Sequence, residues 1–334
     1  MLSDLHEFEL TDRGTALITA YPVVRADLSS IGGPVDGWMY DCHIQEIEIS
    51  TNRTLLDWRA SRHISLDESY QPLGDTGTSP DNPYDAYHVN AVSADSASTL
   101  LLSARHTHTI YSLNRTGGAI RWRLGGKRTD FTIAPDAQFA WQHHARRRSP
   151  DEISLFDNHT LSAPGASRGL LLNVDEQART VSLKQEFSRN GYLGVAMGSL
   201  QVLDNGNVLI GWGTQNTATE FDAQGSPVWE ASGLGLRCYR VARHPWVGMP
   251  STDPDIAVHP RSDRITVYAS WNGATQVARW RVLTGQTNDA LTPAAETIRT
   301  GFETSLVVHR APRVRVQALD ATGAVLGQSQ IMRV

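Results

Sequence analysis

The chain has 334 residues, enough for one large or two ordinary domains with a substantial core, and a net charge of −5. That acidic balance argues against a nucleic-acid or anionic-membrane surface, and the densest basic run, Arg146-Arg147-Arg148, reads as a solvated strand edge. No apolar stretch approaches the roughly 20 residues of a membrane helix; two cysteines, Cys42 and Cys238, make neither a disulfide framework nor a zinc site.

In chain order the sequence reads as short strands grouped in fours. The first group spans 6–10, 15–19, 42–49 and 54–58 and closes on Leu56-Asp57-Trp58. No charged n-region and apolar h-region precede it, so the chain is read as carrying no secretory signal. A Gly/Pro/Asp-rich loop over 66–85 leads to the second group, 87–93, 99–105, 108–114 and 118–124, which ends in Ile120-Arg121-Trp122. After a second such loop, 125–141, the third group runs over 143–148, 152–157, 169–175 and 179–187. The fourth begins with Ser199-Leu200-Gln201-Val202-Leu203. It turns at Asp204-Asn205-Gly206, the strongest short hairpin signal, and returns through Val208-Leu209-Ile210-Gly211-Trp212 to reach Pro227-Val228-Trp229.

Repeated four-stranded units of this length are the signature of β-propeller blades. Trp58, Trp122 and Trp229 recur on the outer strands, where each blade packs on the next. Past Pro250 the pattern changes to strands at 265–271, 277–282 and 314–319 without the blade signature. The expected fold is all-β: a propeller over 1–254 with four blades visible, then a small Ig-like or fibronectin-like β-sandwich over 255–334. The first blade starts at residue 6, so an open arc is expected, with Leu10, Leu17 and Ile18 more exposed than Val92, Leu101 and Leu102.

Three hairpins open on a histidine in the same place: His6, His88 and His143. Cross-strand neighbours are fixed by counting out from the turn. The turn near Asp95-Ser96 puts Arg105 beside His88, and Ser149-Pro150-Asp151 puts Asn158 beside His143. Side chains alternate along a strand, so Asn90 shares a face with His88. Arginine offers a planar charged fork for an oxyanion, and an imidazole serves as nucleophile or proton carrier near neutral pH. His159 lies at the rim, His106, His108 and His144 alternate off the shared face or lie past the hairpin, and Asp157 is the carboxylate placed to orient a histidine. Three imidazoles also suit zinc, but no carboxylate or cysteine recurs in the slot and Arg105 would repel a dication, so no metal and no cofactor are expected.

The stretches Tyr87-His88-Val89-Asn90-Ala91-Val92, Ser103-Ala104-Arg105-His106, Ile120-Arg121-Trp122-Arg123-Leu124-Gly125-Gly126, Trp141-Gln142-His143-His144-Ala145-Arg146 and Leu155-Phe156-Asp157-Asn158 resemble the β-propeller arylsulfotransferases, over about residues 1–254. The trailing sandwich resembles that of the actinobacterial and fungal branch. The resemblance implies transfer of a sulfuryl group from a phenolic sulfate ester to a phenol through a sulfohistidine, without a nucleotide donor. By motif, His143 is the nucleophile, with His88, Arg105 and the early channel histidine His6 in the catalytic set, and Asn90, Asn158, Asp157 and His144 around the substrate. It further implies about six blades and an exported protein, so the chain is expected to be truncated at its N-terminus and extracellular by family. The partners implied are a small phenolic sulfate and a phenol acceptor, with no nucleic acid and no membrane span. Two rivals are a non-catalytic ligand- or protein-binding propeller and a metal-dependent hydrolase or lyase.

Overall fold

The computed structural model describes residues 3–161, 165–235 and 237–334. The chain divides into two compact units, residues 1–243 and residues 244–334. Residues 244–254, assigned to the first unit on sequence, belong to the second.

The first unit is built from four consecutive antiparallel meanders. Sheet I holds strands Phe8–Thr11, Thr15–Ala20, His43–Glu48 and Arg53–Arg59, and sheet II holds Val89–Ala94, Thr99–Ala104, Thr109–Asn114 and Ile120–Gly125. Sheet III comprises His143–Ser149, Glu152–Asp157, Arg168–Asp175 and Thr180–Ser188, and sheet IV comprises Ser199–Val202, Val208–Gly211, Thr217–Phe221 and Pro227–Ser232. Neighbours in sequence are neighbours in space. Leu17, Ile44 and Trp58 of sheet I share a core with Val92, Leu102 and Tyr111 of sheet II. Trp122 joins Leu155 and Leu172 of sheet III in the next core, and Phe156 and Phe187 join Leu200, Ile210 and Phe221 of sheet IV in the one after.

The tryptophans show where the stacking ends. Trp58 and Trp122 are buried, and the Trp58 indole donates to Gly118 O at 2.9 Å, whereas Trp229 is 51% exposed. On sheet I, Phe8 and Leu10 are 66% and 64% exposed. Leu10 and the half-buried Ile18 thus follow expectation, but Leu17 is fully buried. Its position opposite Glu9 in the register turns it to the face that meets sheet II.

Two elements were not anticipated. A hairpin, Val23–Ala26 with Gly37–Tyr40, is inserted between the second and third strands of sheet I, and Thr132–Ile133 adds a short parallel strand to the outer edge of sheet III. The second unit is two antiparallel sheets around one apolar core, to which Val267, Leu306, Trp280, Val282, Val314 and Val316 contribute from both sheets. Strand Glu303–His309 alternates strictly between exposed and buried, the period-two pattern of a sheet with one covered face.

Candidate active site

Each of the three candidate histidines lies where the chain enters the first strand of its sheet. His88 immediately precedes Val89–Ala94, His143 begins His143–Ser149, and His6 lies two residues before Phe8–Thr11. The chain is strained there. His88, Trp141 and His144 hold left-handed φ of 50°, 54° and 55°, a region uncommon for residues other than glycine.

The cross-strand neighbours follow two rules. Arg105 N donates to His88 O at 2.9 Å, the pairing obtained by counting from the turn. In sheet III the register is interrupted between His143 and Arg146 and again between Arg147 and Ser149, so His143 pairs with Phe156 rather than Asn158. The side chains still meet: His143 Nδ1 lies 2.6 Å from Asn158 Oδ1 and 2.9 Å from Trp141 O.

That contact fixes the chemistry of the ring. Asn158 Nδ2 donates to Gly194 O at 2.5 Å and to Met197 O at 2.8 Å, which orients the amide and leaves Oδ1 toward the imidazole. With two acceptors at Nδ1, the proton sits on Nδ1 and the lone pair on Nε2. Burial pushes the His143 pKa down to about 3, with the charges of Arg105 and His88 adding to the effect, so the ring is neutral at ordinary pH.

His6 and His88 are tied differently. His6 Nδ1 meets Asp4 Oδ2 at 2.5 Å and His88 Nδ1 meets Asp85 Oδ2 at 2.5 Å. Burial raises the Asp85 carboxyl, but bonding to His88 and the charge of that ring outweigh it and hold it below the usual carboxylate range. The two rings are 4.9 Å apart and nearly perpendicular. A proton taken up on either Nε2 is therefore balanced by a carboxylate behind the ring. Neither aspartate figured in the sequence reading, although Asp4 and Asp85 stand two and three residues before their histidines.

Arg105 lies with its guanidinium 4.3 Å from the centre of the Trp141 ring and donates from Nη2 to Val195 O at 2.9 Å. Burial lowers its pKa to about 10, so it stays cationic with further N–H groups available.

Other residues lie differently from the sequence reading. His106 was placed off the shared face, yet its ring is 4.7 Å from His88 and its Nδ1 2.7 Å from Asp85 O. Burial drives His106 to about 4. Asn90 is fully buried behind the histidines and donates from Nδ2 to Gln142 O at 2.8 Å, while its Oδ1 has no partner. Gln142, unmarked in the sequence reading, ties sheet III to sheet II through Ser103 Oγ, Ala104 O and Thr109 O, each at 3.1 Å.

Asn158 has both amide hydrogens committed, so it holds His143 and has no donor left for a substrate. Among the described residues, the oxygens of Asp157 take Arg168 Nε at 3.0 Å and the backbone N–H groups of Ala140 and His159 at 3.0 Å each. His144 turns to sheet IV, with Nδ1 2.9 Å from Leu200 O.

The arrangement gathers a pinned neutral imidazole, an arginine and two carboxylate-backed histidines, a set of groups chemically suited to an oxyanion. The chain belongs to the arylsulfotransferase (ASST) family, whose model matches residues 1–233. No curated protein matches the chain. Solved structures resembling it are distant. A catalytically inactive virginiamycin B lyase from Staphylococcus aureus with quinupristin is 8% identical, covering 97% of this chain and 92% of that one, with a TM-score of 0.38. A Bacteroides caccae protein of unknown function is 12% identical, over 86% and 89%, with a TM-score of 0.36. The Cps50 (Swd1) β-propeller domain of Myceliophthora thermophila is 7% identical, over 94% and 86%, with a TM-score of 0.34. Among the described residues, no helix is long and apolar enough to cross a membrane.

Proposed function

We propose that the chain moves a sulfuryl group from a phenolic sulfate ester to a phenol in two steps, with His143 as the covalent carrier and no nucleotide donor. The observation that carries this reading is the pinning of His143 Nδ1 by Asn158 and Trp141, which leaves a neutral ring with its lone pair on Nε2 close to the half-buried Arg105. In the first step Nε2 attacks sulfur, an N–S bond forms and the S–O bond to the aryl group breaks. The leaving phenolate takes a proton from His88 or His6. In the second step the acceptor phenol returns a proton to the same histidine, its oxygen attacks sulfur, and the N–S bond breaks to restore His143. The transferred group spreads charge over three equatorial oxygens, as in phosphoryl transfer, and Arg105 with the histidine N–H groups stabilises that charge.

In this reading the four meanders are propeller blades, the second unit is an Ig-like sandwich, and the protein acts outside the cell. Asn90 and Gln142 hold the innermost strands of sheets II and III together behind the reacting group.

The test is the burst of phenol from a chromogenic aryl sulfate, with and without a phenol acceptor. Wild type should release about one equivalent rapidly and carry label from a sulfur-labelled donor, whereas His143→Ala should do neither. Labelling of His143→Ala at the wild-type level would overturn the assignment. The metal-dependent rival, read on sequence from His6, His88 and His143, would in the structure use a different set, Asp85, His88 and His106, whose ligand atoms all lie within 4.8 Å of one another. Exhaustive chelation should leave turnover unchanged; loss restored by zinc would favour the rival. Tight binding of the aryl sulfate with no burst would favour a non-catalytic channel.

A further inference from the structure

Sheet IV has no histidine where the other sheets do. Its first strand is entered through Met197 and Gly198, and a side chain on Gly198 would run into Phe156. With φ of 102°, that position favours glycine in any case. The gap is met from another part of the chain. Residues 239–243 lie along this strand: Gly198 N donates to Tyr239 O at 3.0 Å, Val241 N to Ser199 Oγ at 2.9 Å, and Arg243 N to Gln201 Oε1 at 2.8 Å. A second anchor lies on sheet I. Arg240 grips Glu7 through Nη1 at 2.5 Å and Nη2 at 2.8 Å and reaches His6 O at 3.1 Å, while Arg146 holds the same carboxylate at 2.8 Å.

Between these anchors, the Tyr239 ring lies 5.7 Å from His6 and 6.4 Å from His143, steeply inclined to both, and its hydroxyl donates to Asn90 O at 3.2 Å. We propose that Tyr239 is a further component of the site, a positioning residue that sets where the aryl group lies against His143 and so selects among aryl donors. The inference rests on the sulfotransfer reading and goes beyond the family match, which ends at residue 233.

The role belongs to the ring rather than the hydroxyl. The O–H is committed to a backbone carbonyl, and burial, with the charges of Glu7 and Asp4, raises the phenol, which opposes its use as a base. Arg240 lies 5.3 Å from the ring centre over one face, so a ligand ring meets the other face or the edge.

The test compares 4-nitrophenyl sulfate, a one-ring donor, with 4-methylumbelliferyl sulfate, a two-ring donor. Tyr239→Leu keeps apolar bulk and removes the ring; it should shift the ratio of kcat/KM toward the two-ring donor by about tenfold or more. Tyr239→Phe should stay within about fivefold of wild type for both, the scale of one neutral hydrogen bond. Tyr239→Trp, should Tyr239→Leu fail to fold, should shift the ratio the other way.

Calorimetric binding of 4-nitrophenyl sulfate in a His143→Ala background, with and without Tyr239→Leu, reads the same role without turnover. Folded variants with wild-type selectivity and unchanged binding would overturn the inference. Binding weakened by Tyr239→Leu, together with a wild type that gives no burst, would sink the sulfotransfer reading and keep Tyr239 as a ligand contact.

Discussion

Lowering the pH should unfold this protein well before its carboxylates titrate, because several imidazoles are buried in neutral form. Burial, the largest cause in each case, lowers His106 and His108 to about 4 and His143 to about 3, and holds His144 well below its ordinary value. In the unfolded chain each returns to roughly 6.5. The unfolded state therefore takes up protons first as pH falls, so this stability is present above about pH 6.5 and is lost below it. At pH 5 each of the three rings with a stated value costs about 2 kcal/mol, together about 6 kcal/mol. That is comparable with the whole stability of an ordinary domain. The measurement is denaturant unfolding of the first unit in the intact chain at pH 7.5 and pH 5, repeated on His108→Gln. His108 stacks on Tyr70 at 4.2 Å and its Nε2 is buried without a partner, so this variant removes one titrating ring away from the proposed nucleophile. Wild type should lose most of its stability at pH 5, and the variant should lose about 2 kcal/mol less. Equal stability of wild type at the two pH values would refute the reasoning.

Three further outcomes follow from particular contacts. Arg105→Lys keeps the charge but loses the planar fork stacked on Trp141, and should cut the burst rate by about 100-fold with little change in melting temperature; wild-type rates would remove Arg105 from the charge-stabilising role. Trp58→Ala deletes the buried ring joining sheets I and II and its bond to Gly118 O, and should cost about 3–5 kcal/mol by chemical denaturation. Phe8 and Leu10 form the exposed part of an apolar face on sheet I, so wild type should bind a hydrophobic dye and Phe8→Lys with Leu10→Glu should bind less; equal binding would place the patch elsewhere.

Local pattern carried much of this structure and long-range geometry carried the rest. The four meanders were legible because alternation and turn residues are local signals: the Asn205-Gly206 turn sets Gly206 at a φ of 82° and pairs Leu200 with Ile210. The meeting of His88 with Arg105 followed from counting. The meeting of His143 with Asn158 did not, since two irregularities in one strand move the register and only side-chain reach restores the contact. Asp4 and Asp85 escaped notice because they lie in the chain leading into the strands, where period-two alternation says nothing. Tyr239 was beyond reach for a different reason. It arrives more than 90 residues after His143, on a segment without strand periodicity, and only the packed fold brings it to His6.

The left-handed conformations at His88, Trp141 and His144 bear on how such a chain would respond to selection. At these positions glycine would relax the backbone, by roughly 1–2 kcal/mol each, yet a bulky ring is kept. A library screened only for thermal survival should therefore be expected to drift toward glycine at His88 and Trp141, gaining robustness as it discards the rings. The same library screened for ligand capture should hold them fixed. Divergence between the two screens at these positions would mark the residues that the chain retains against its own folding preference.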